Sequence, residues 1–342
     1  MSNSLSYDDI LLVPQYSDIE SRTEIDITAD LGNGLVLKSP LLSSPMDTVT
    51  GAAMASSIAA HGGAGIVHRY NTIIEQQRHI KRARDIMSEF DHVGAAVGVT
   101  GEYIDRATAA YDAGATFICI DVAHGHHLLV KRALHSLRAV FGENFHIMAG
   151  NVATLEGISD LADWGADSVR CNIGGGSICS TRIQTGHGIP GLQTILDCSQ
   201  TDRDVTIVAD GGIKNSGDIV KALACGADAV MCGSLLAGTT EAPGEIQRDI
   251  DGSTWKSYRG MASKEAQTEW RGKYTSLEGV SARVPYQGRA KDILEDLDRG
   301  IRSGLSYSGA RSIEELQLKA EYVRQSPSGL SESNTHILTR KW

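Results

Sequence analysis

Cys179 lies in the run Gly174-Gly175-Gly176-Ser177-Ile178-Cys179-Ser180-Thr181-Arg182, a glycine-rich turn that follows the apolar stretch 168–173. Three consecutive glycines let the backbone take positive φ and come close to a ligand. A cysteine flanked by hydroxyls is a thiol that can attack an electrophilic carbon. The competing reading is a flexible loop with a spare cysteine, because neither a glycine run nor a single cysteine is specific. What the rest of the chain arranges around this turn decides between them.

Short β-rich apolar runs recur at 41–45, 64–68, 93–98, 117–123, 146–151, 168–173, 205–212 and 229–234. Helix-like segments separate most of them, at 52–61, 74–88, 103–113, 128–141, 155–164 and 216–225. Eight such strands buried on both faces predict an α/β chain folded as a (β/α)8 TIM barrel; an open doubly wound sheet rarely needs eight units. A barrel does its chemistry at the C-terminal ends of its strands. Those ends read Ser44-Pro45-Met46-Asp47, His68-Arg69, Asp121 to His126, Gly150-Asn151, the cysteine turn, Asp210-Gly211-Gly212 and Gly233-Ser234. Any one of them alone reads equally well as a turn or cap. The last two have the form of phosphate cradles, at the place where barrels commonly bind phosphate.

After the eighth strand, Tyr258-Arg259-Gly260-Met261 leads into a charged stretch, 264–279, which reads as a lid over the barrel mouth or as a solvated loop. A last helix is predicted over 312–324, followed by a polar tail over 325–342. One domain over 1–342 is expected, with a flap at about 262–283.

The net charge of −10 argues against a nucleic-acid or membrane-surface partner and leaves a small molecule as the default. Six cysteines without CxxC spacing read as reduced thiols. No signal pattern or long apolar run is present, so a soluble, cytoplasmic protein is expected. His124, His126 and His127 cluster without a carboxylate at ligand spacing, which gives a metal little support.

Six stretches in order, Tyr7 to Pro14, Ser44 to Val49, Gly176 to Thr181, Ala209 to Ile213, Gly233 to Gly238 and Tyr258 to Met261, make the chain resemble the IMP dehydrogenase and GMP reductase family over nearly its whole length. The resemblance implies a purine ribonucleotide across the barrel mouth. Ser177, Gly212, Gly233, Ser234 and Tyr258 would hold its phosphate, Asp210 its ribose, and Ser44, Met46, Met261 and Glu278 its base, with Gly260 also among the substrate-binding residues. Cys179 would attack C2 of the purine to form a covalent thioimidate adduct. A nicotinamide cofactor would stack on the base against Asp121, His124, Asn151 and Arg170. Gly174, Gly176 and Cys179 would hold a monovalent cation such as potassium. The family assembles as homotetramers, sometimes stacked into octamers.

The two activities of the family treat the adduct differently. A reductase releases ammonia from GMP and reduces the adduct with NADPH, a threonine and a glutamate handling the proton; Thr181 and Glu278 match that pair. A dehydrogenase oxidises IMP to XMP with NAD and hydrolyses the adduct with an arginine-activated water on a long flap. The short stretch between Met261 and Val284 and the run 303–309 favour the reductase, with Arg271 and Tyr274 the nearest candidates for a dehydrogenase's arginine–tyrosine pair. The stretch 320–334 and the N-terminal half read more like a dehydrogenase. The regulatory CBS-type insert of many dehydrogenases is missing, since 74–90 runs almost directly into Val93. Asn172 and Gly175 depart from the family's Gly-Ile-Gly-Pro-Gly pattern, which leaves room for an unusual purine; a barrel that binds nucleotide without catalysis is the remaining alternative.

Overall fold

The computed structural model describes residues 4–88 and 91–335. Eight parallel strands close into a barrel: β1 (Leu41–Ser43), β2 (Ala64–Val67), β3 (His92–Val97), β4 (Phe117–Asp121), β5 (Ile147–Val152), β6 (Ser168–Cys171), β7 (Thr206–Asp210) and β8 (Ala229–Cys232). β8 pairs back onto β1 through Val230 opposite Leu41. β1, β2, β6 and β8 are buried at every residue, as strands lined by a core inside and helices outside must be. Inside the barrel, Phe117 is fully buried and meets His146 edge-on at 5.9 Å. Gly94 makes room for it, since a Cβ there would lie 2.4 Å from the Phe117 ring.

Helices α1 (Ala52–Ala60), α2 (Ile73–Arg84), α3 (Tyr103–Asp112), α4 (Leu128–Phe141), α5 (Leu155–Asp163), α6 (Gly191–Cys198) and α7 (Ser216–Ala224) connect the strands. Side-chain caps set the starts of α2, α4, α5 and α7, through Thr72 with Glu75, His127, Thr154 and Asn215. α2 ends at Arg84 and β3 begins at His92, so no further domain is inserted at that point; Glu89 and Phe90 lie outside the described residues.

Between β8 and the closing helix, the chain makes an excursion over the barrel mouth. β9 (Thr254–Arg259) and β10 (Ser281–Pro285) pair antiparallel, and α8 (Lys264–Arg271) sits between them. The charged stretch read as lid or loop therefore contains a helix. Ser263 caps its start by accepting from the Ala266 N–H, and Gly272 ends it in the left-handed region at φ 68°. Fully buried Lys256 ties the excursion down: its Nζ donates to Thr239 O at 2.9 Å and to Ala242 O. α9 (Ala290–Tyr307) then returns to the barrel and buries Ala290, Leu294, Leu297, Ile301 and Leu305, one stripe at helical spacing.

The predicted helix over 312–324 is corrected. The helix covers Ile313–Lys319, and Tyr322–Arg324 form a strand antiparallel to Ile10–Leu12. Ala320 already has extended dihedrals, and the β-favouring Tyr322 and Val323 find a free partner edge in Ile10–Leu12. Of the tail, Pro327–Glu332 is helical, while residues 336–342 lie outside the described residues. Among the described residues no helix is long and apolar enough to cross a membrane.

Candidate active site

A cavity of about 260 Å³ opens at the C-terminal ends of the strands, with Cys179 and Thr181 in its wall. Of the six cysteines only Cys179 is not buried. Burial pushes the thiols of Cys119, Cys225 and Cys232 up to about 12, which leaves them protonated and unreactive. Thr181 Oγ1 is 3.1 Å from Cys179 Sγ. Opposite the thiol runs the strip 277–280, hydrogen-bonded to the cysteine loop like an extra strand. Ser180 N–H donates to Glu278 O at 2.9 Å, Val280 N–H donates to Ile178 O at 3.0 Å, and Cys179 pairs with Gly279. Glu278 lines the same cavity, and its carboxylate accepts from Ser276 Oγ at 2.9 Å. Gly260 and Gly279 make this layering fit, since a Cβ on Gly260 would come within 3.2 Å of the Gly279 Cα.

The cysteine loop is fixed from below by Asn172. Its backbone is in the left-handed region at φ 148°, and it is 4 % exposed. Asn172 Nδ2 donates to Gly211 O at 3.2 Å, its Oδ1 accepts from Arg182 at 3.3 Å, and its carbonyl accepts from Asn151 Nδ2 at 3.1 Å. A Cβ at Gly175 would meet Asn172 Nδ2 at 2.0 Å. The two departures from the family pattern are therefore one: the Asn172 side chain fills the space that a side chain at 175 would need.

The predicted phosphate and base positions converge. Ser44, Met46, Ser177, Asp210, Gly212, Gly233, Ser234, Tyr258, Gly260 and Met261 all line the cavity. Gly211 and Gly212 turn through positive φ, at 87° and 80°, and bring β7's end against Gly175 and Gly176. Tyr258 is buried, which pushes its hydroxyl up to about 12 and keeps it a neutral donor. Gly233 is required beside it, because a Cβ there would sit 2.9 Å from that hydroxyl.

Of the predicted cofactor residues, Asp121, Asn151 and Arg170 line the same cavity and form a charge ladder. Arg170 bonds Asp121 at 2.7 Å and Asp210 at 2.7 Å; Asn151 donates to Asp210 at 2.8 Å; Arg69 approaches Asp121 at 3.4 Å. Burial works to raise the Asp121 carboxyl, but the flanking guanidiniums outweigh it and hold the group below the usual range. His124 is not in the cavity wall; it is exposed on the loop after β4. Its neighbours have structural tasks: His126 pairs with Asp160 at 2.8 Å, and His127 Nδ1 caps α4 by accepting from Leu129 N–H at 3.1 Å. Among the described residues no cluster of three or more His, Cys, Asp or Glu is placed to hold a metal ion. Gly174 and Gly176 line the cavity, and the Gly176 carbonyl accepts from Cys179 N–H at 3.0 Å.

Sequence reasoning placed Asp47 at a strand end without a role. It anchors α8: Asp47 Oδ2 accepts from Arg259 Nε at 2.9 Å and from Trp270 Nε1 at 3.1 Å, while Arg259 also pairs with Glu269 at 2.7 Å. His68 lies beneath this anchor, 6.4 Å from the Trp270 ring centroid. Burial lowers its pKa to about 4 despite the nearby Asp47. Arg271, a candidate water-activating base, is not in the cavity wall; it packs over the Tyr70 ring at 5.6 Å.

A closed parallel barrel with Cys179, Thr181 and Glu278 gathered beside a glycine-built cradle at its C-terminal face has the architecture of a barrel enzyme. The family model of the IMP dehydrogenase / GMP reductase domain matches residues 4–336, and the chain belongs to this family of nicotinamide-dependent oxidoreductases. It is 37% identical to an inosine-5'-monophosphate dehydrogenase of Cryptosporidium parvum, over 98% of this chain and 96% of that protein. It is 32% identical to one of Nitrosopumilus maritimus, over 97% of this chain and 98% of that protein. The latter alignment spans 467 positions, more than this chain's 342 residues, so that relative carries residues without a counterpart here. The structure of a GMP reductase from Trypanosoma brucei, a variant with one cysteine replaced by alanine in complex with guanosine 5'-monophosphate, matches with a TM-score of 0.93 at 30% identity, over 98% of both chains.

Proposed function

We propose that the protein is a GMP reductase that converts GMP to IMP and ammonia with NADPH. One observation carries the choice: the segment 262–283, read as the flap, brings Glu278 to Cys179 and keeps Arg271 out of the cavity. Of the two guanidiniums in the cavity wall, Arg170 is held by Asp121 and Asp210 at 2.7 Å, and Arg69 stands 3.4 Å from Asp121. The match to a reductase structure containing GMP supports the same reading.

Cys179 adds through sulfur to C2 of the purine. The exocyclic amine leaves as ammonia, taking its proton from Glu278 relayed by Thr181. When bound beside the base, a reduced nicotinamide would supply hydride chemistry at C2. The C–S bond then breaks, and Cys179 leaves as thiolate with the electron pair. The residues present suit that cofactor: Asp121 offers carboxylate acceptors and Arg170 and Asn151 offer donors beside the thiol, the set a carboxamide and ribose hydroxyls require. Asp210 and the turn residues Ser177, Gly212, Gly233 and Ser234 hold ribose and phosphate. Gly174, Gly176 and Cys179 offer carbonyls to a potassium ion, and the working assembly is a homotetramer or octamer.

IMP dehydrogenase is the second reading, favoured by the names of the relatives at 32% and 37% identity. Absorbance of reduced nicotinamide decides between them. Loss of signal with GMP and NADPH, with ammonia released, is the expected result. A gain with IMP and NAD overturns it in favour of the dehydrogenase.

A further inference from the structure

Beside the Cys179 cavity lies a second recess of about 300 Å³, which shares Arg69 and Val122 with it. Arg69, Arg106 and Arg271 line it, brought together from the end of β2, from α3 and from the end of α8, and Glu102 is the only acid in its wall. Its size is at the low end of small-molecule sites. Its charge is largely uncompensated. Among the described residues Arg106 donates to neutral groups alone, Asn71 Oδ1 and Gln76 Oε1 at 3.1 Å and Asn71 O at 2.8 Å. Among the described residues Arg271 forms no ion pair; its guanidinium lies over Tyr70, as does that of Arg69 at 5.1 Å. Arg69 has only the longer share of Asp121, which Arg170 holds at 2.7 Å. Guanidiniums converging without carboxylates suit a phosphate, which can accept two parallel N–H bonds from each.

We propose that this recess binds a phosphate group of the nicotinamide cofactor, with Arg271 as the residue whose charge is committed to it. The inference rests on the reading of a nicotinamide beside Cys179: a ligand anchored at Asp121 has to continue past Arg69 and Val122, and the recess begins there. It gives Arg271 an anion-binding role in place of the base expected of a dehydrogenase. Two phosphates of such a cofactor have this chemistry, the diphosphate bridge and a ribose 2'-phosphate.

The test is calorimetric titration of the wild type and Arg271→Gln with ADP and with adenosine 2',5'-bisphosphate, neither of which can turn over. Arg271 is exposed, so the variant is expected to fold, and its melting temperature checks this. Loss of one charge-assisted contact weakens binding by roughly ten- to a hundredfold. Loss confined to adenosine 2',5'-bisphosphate assigns the recess to the 2'-phosphate; loss with both probes assigns it to the diphosphate. Equal binding by variant and wild type, or no binding to the wild type, overturns the proposal. In turnover, KM for NADPH rises in the variant while KM for GMP stays. A wild type that is inactive in both directions yet binds the probes through Arg271 counts against the reductase reading and leaves the phosphate site standing.

Discussion

The cysteine loop and the segment 262–283 face each other across one cavity and are held by opposite means. The loop is positioned by backbone and by a buried amide: Asn172 reaches Gly211, Arg182 and Asn151, and glycines at 175, 211 and 212 allow main chain to pack on main chain. The segment is exposed over residues 271–276 and is held by the pairing of its last residues in β10 with β9, by the side-chain anchor of Asp47, Arg259, Glu269 and Trp270, and by the strip 277–280. A group that must attack one carbon is over-determined, whereas a group that must admit and release substrate is held by contacts that can break singly.

The largest effect expected comes from the loop. Cys179→Ala should lower kcat by at least about a thousandfold while GMP binding persists in calorimetry; surviving turnover would mean that no covalent adduct forms. The anchor beneath the segment should respond to acid. The lowered pKa of His68 means that the unfolded chain takes up its proton below about pH 6.5 and the folded chain only near 4. Stability is therefore complete above pH 6.5 and falls through that window by up to about 3 kcal/mol, and His68→Gln should flatten the melting-temperature profile there. Gly175→Ala should cost about 1–3 kcal/mol through its clash with Asn172. In the double variant with Asn172→Gly that cost should shrink, and strictly additive melting data would separate the two positions. Trp270→Phe removes one hydrogen bond to Asp47 and should cost about 1 kcal/mol, with a raised KM and little change in the loop.

The barrel was legible because its strands are short, apolar and punctuated by glycine or polar residues at the ends where chemistry occurs; 117–123 and 229–234 each carry both signals. The site residues could be named because their motifs are contiguous, as in Ser177 to Thr181 and Tyr258 to Met261. Three features were hidden. The helix Lys264–Arg271 has few aliphatic residues, so its period was masked by charge, although Ser263 and Gly272 mark its ends. Tyr322–Arg324 continued a helical run until a strand more than three hundred residues earlier offered an edge, which no local window contains. His124 shared a loop with chemistry-bearing Asp121, yet only the fold shows that the chain has left the cavity by that residue.

Arg170 is the shared counter-ion of Asp121 and Asp210, the first proposed here for the cofactor and the second for the nucleotide. A ribose that draws Asp210 into its own hydrogen bonds leaves the guanidinium to Asp121 alone, and a cofactor that engages Asp121 does the reverse. The two ligands thus act on a single balance, and by thermodynamic reciprocity whatever factor the first contributes to the affinity of the second is returned in equal measure. The coupling between the two proposed ligands would then run through one side chain.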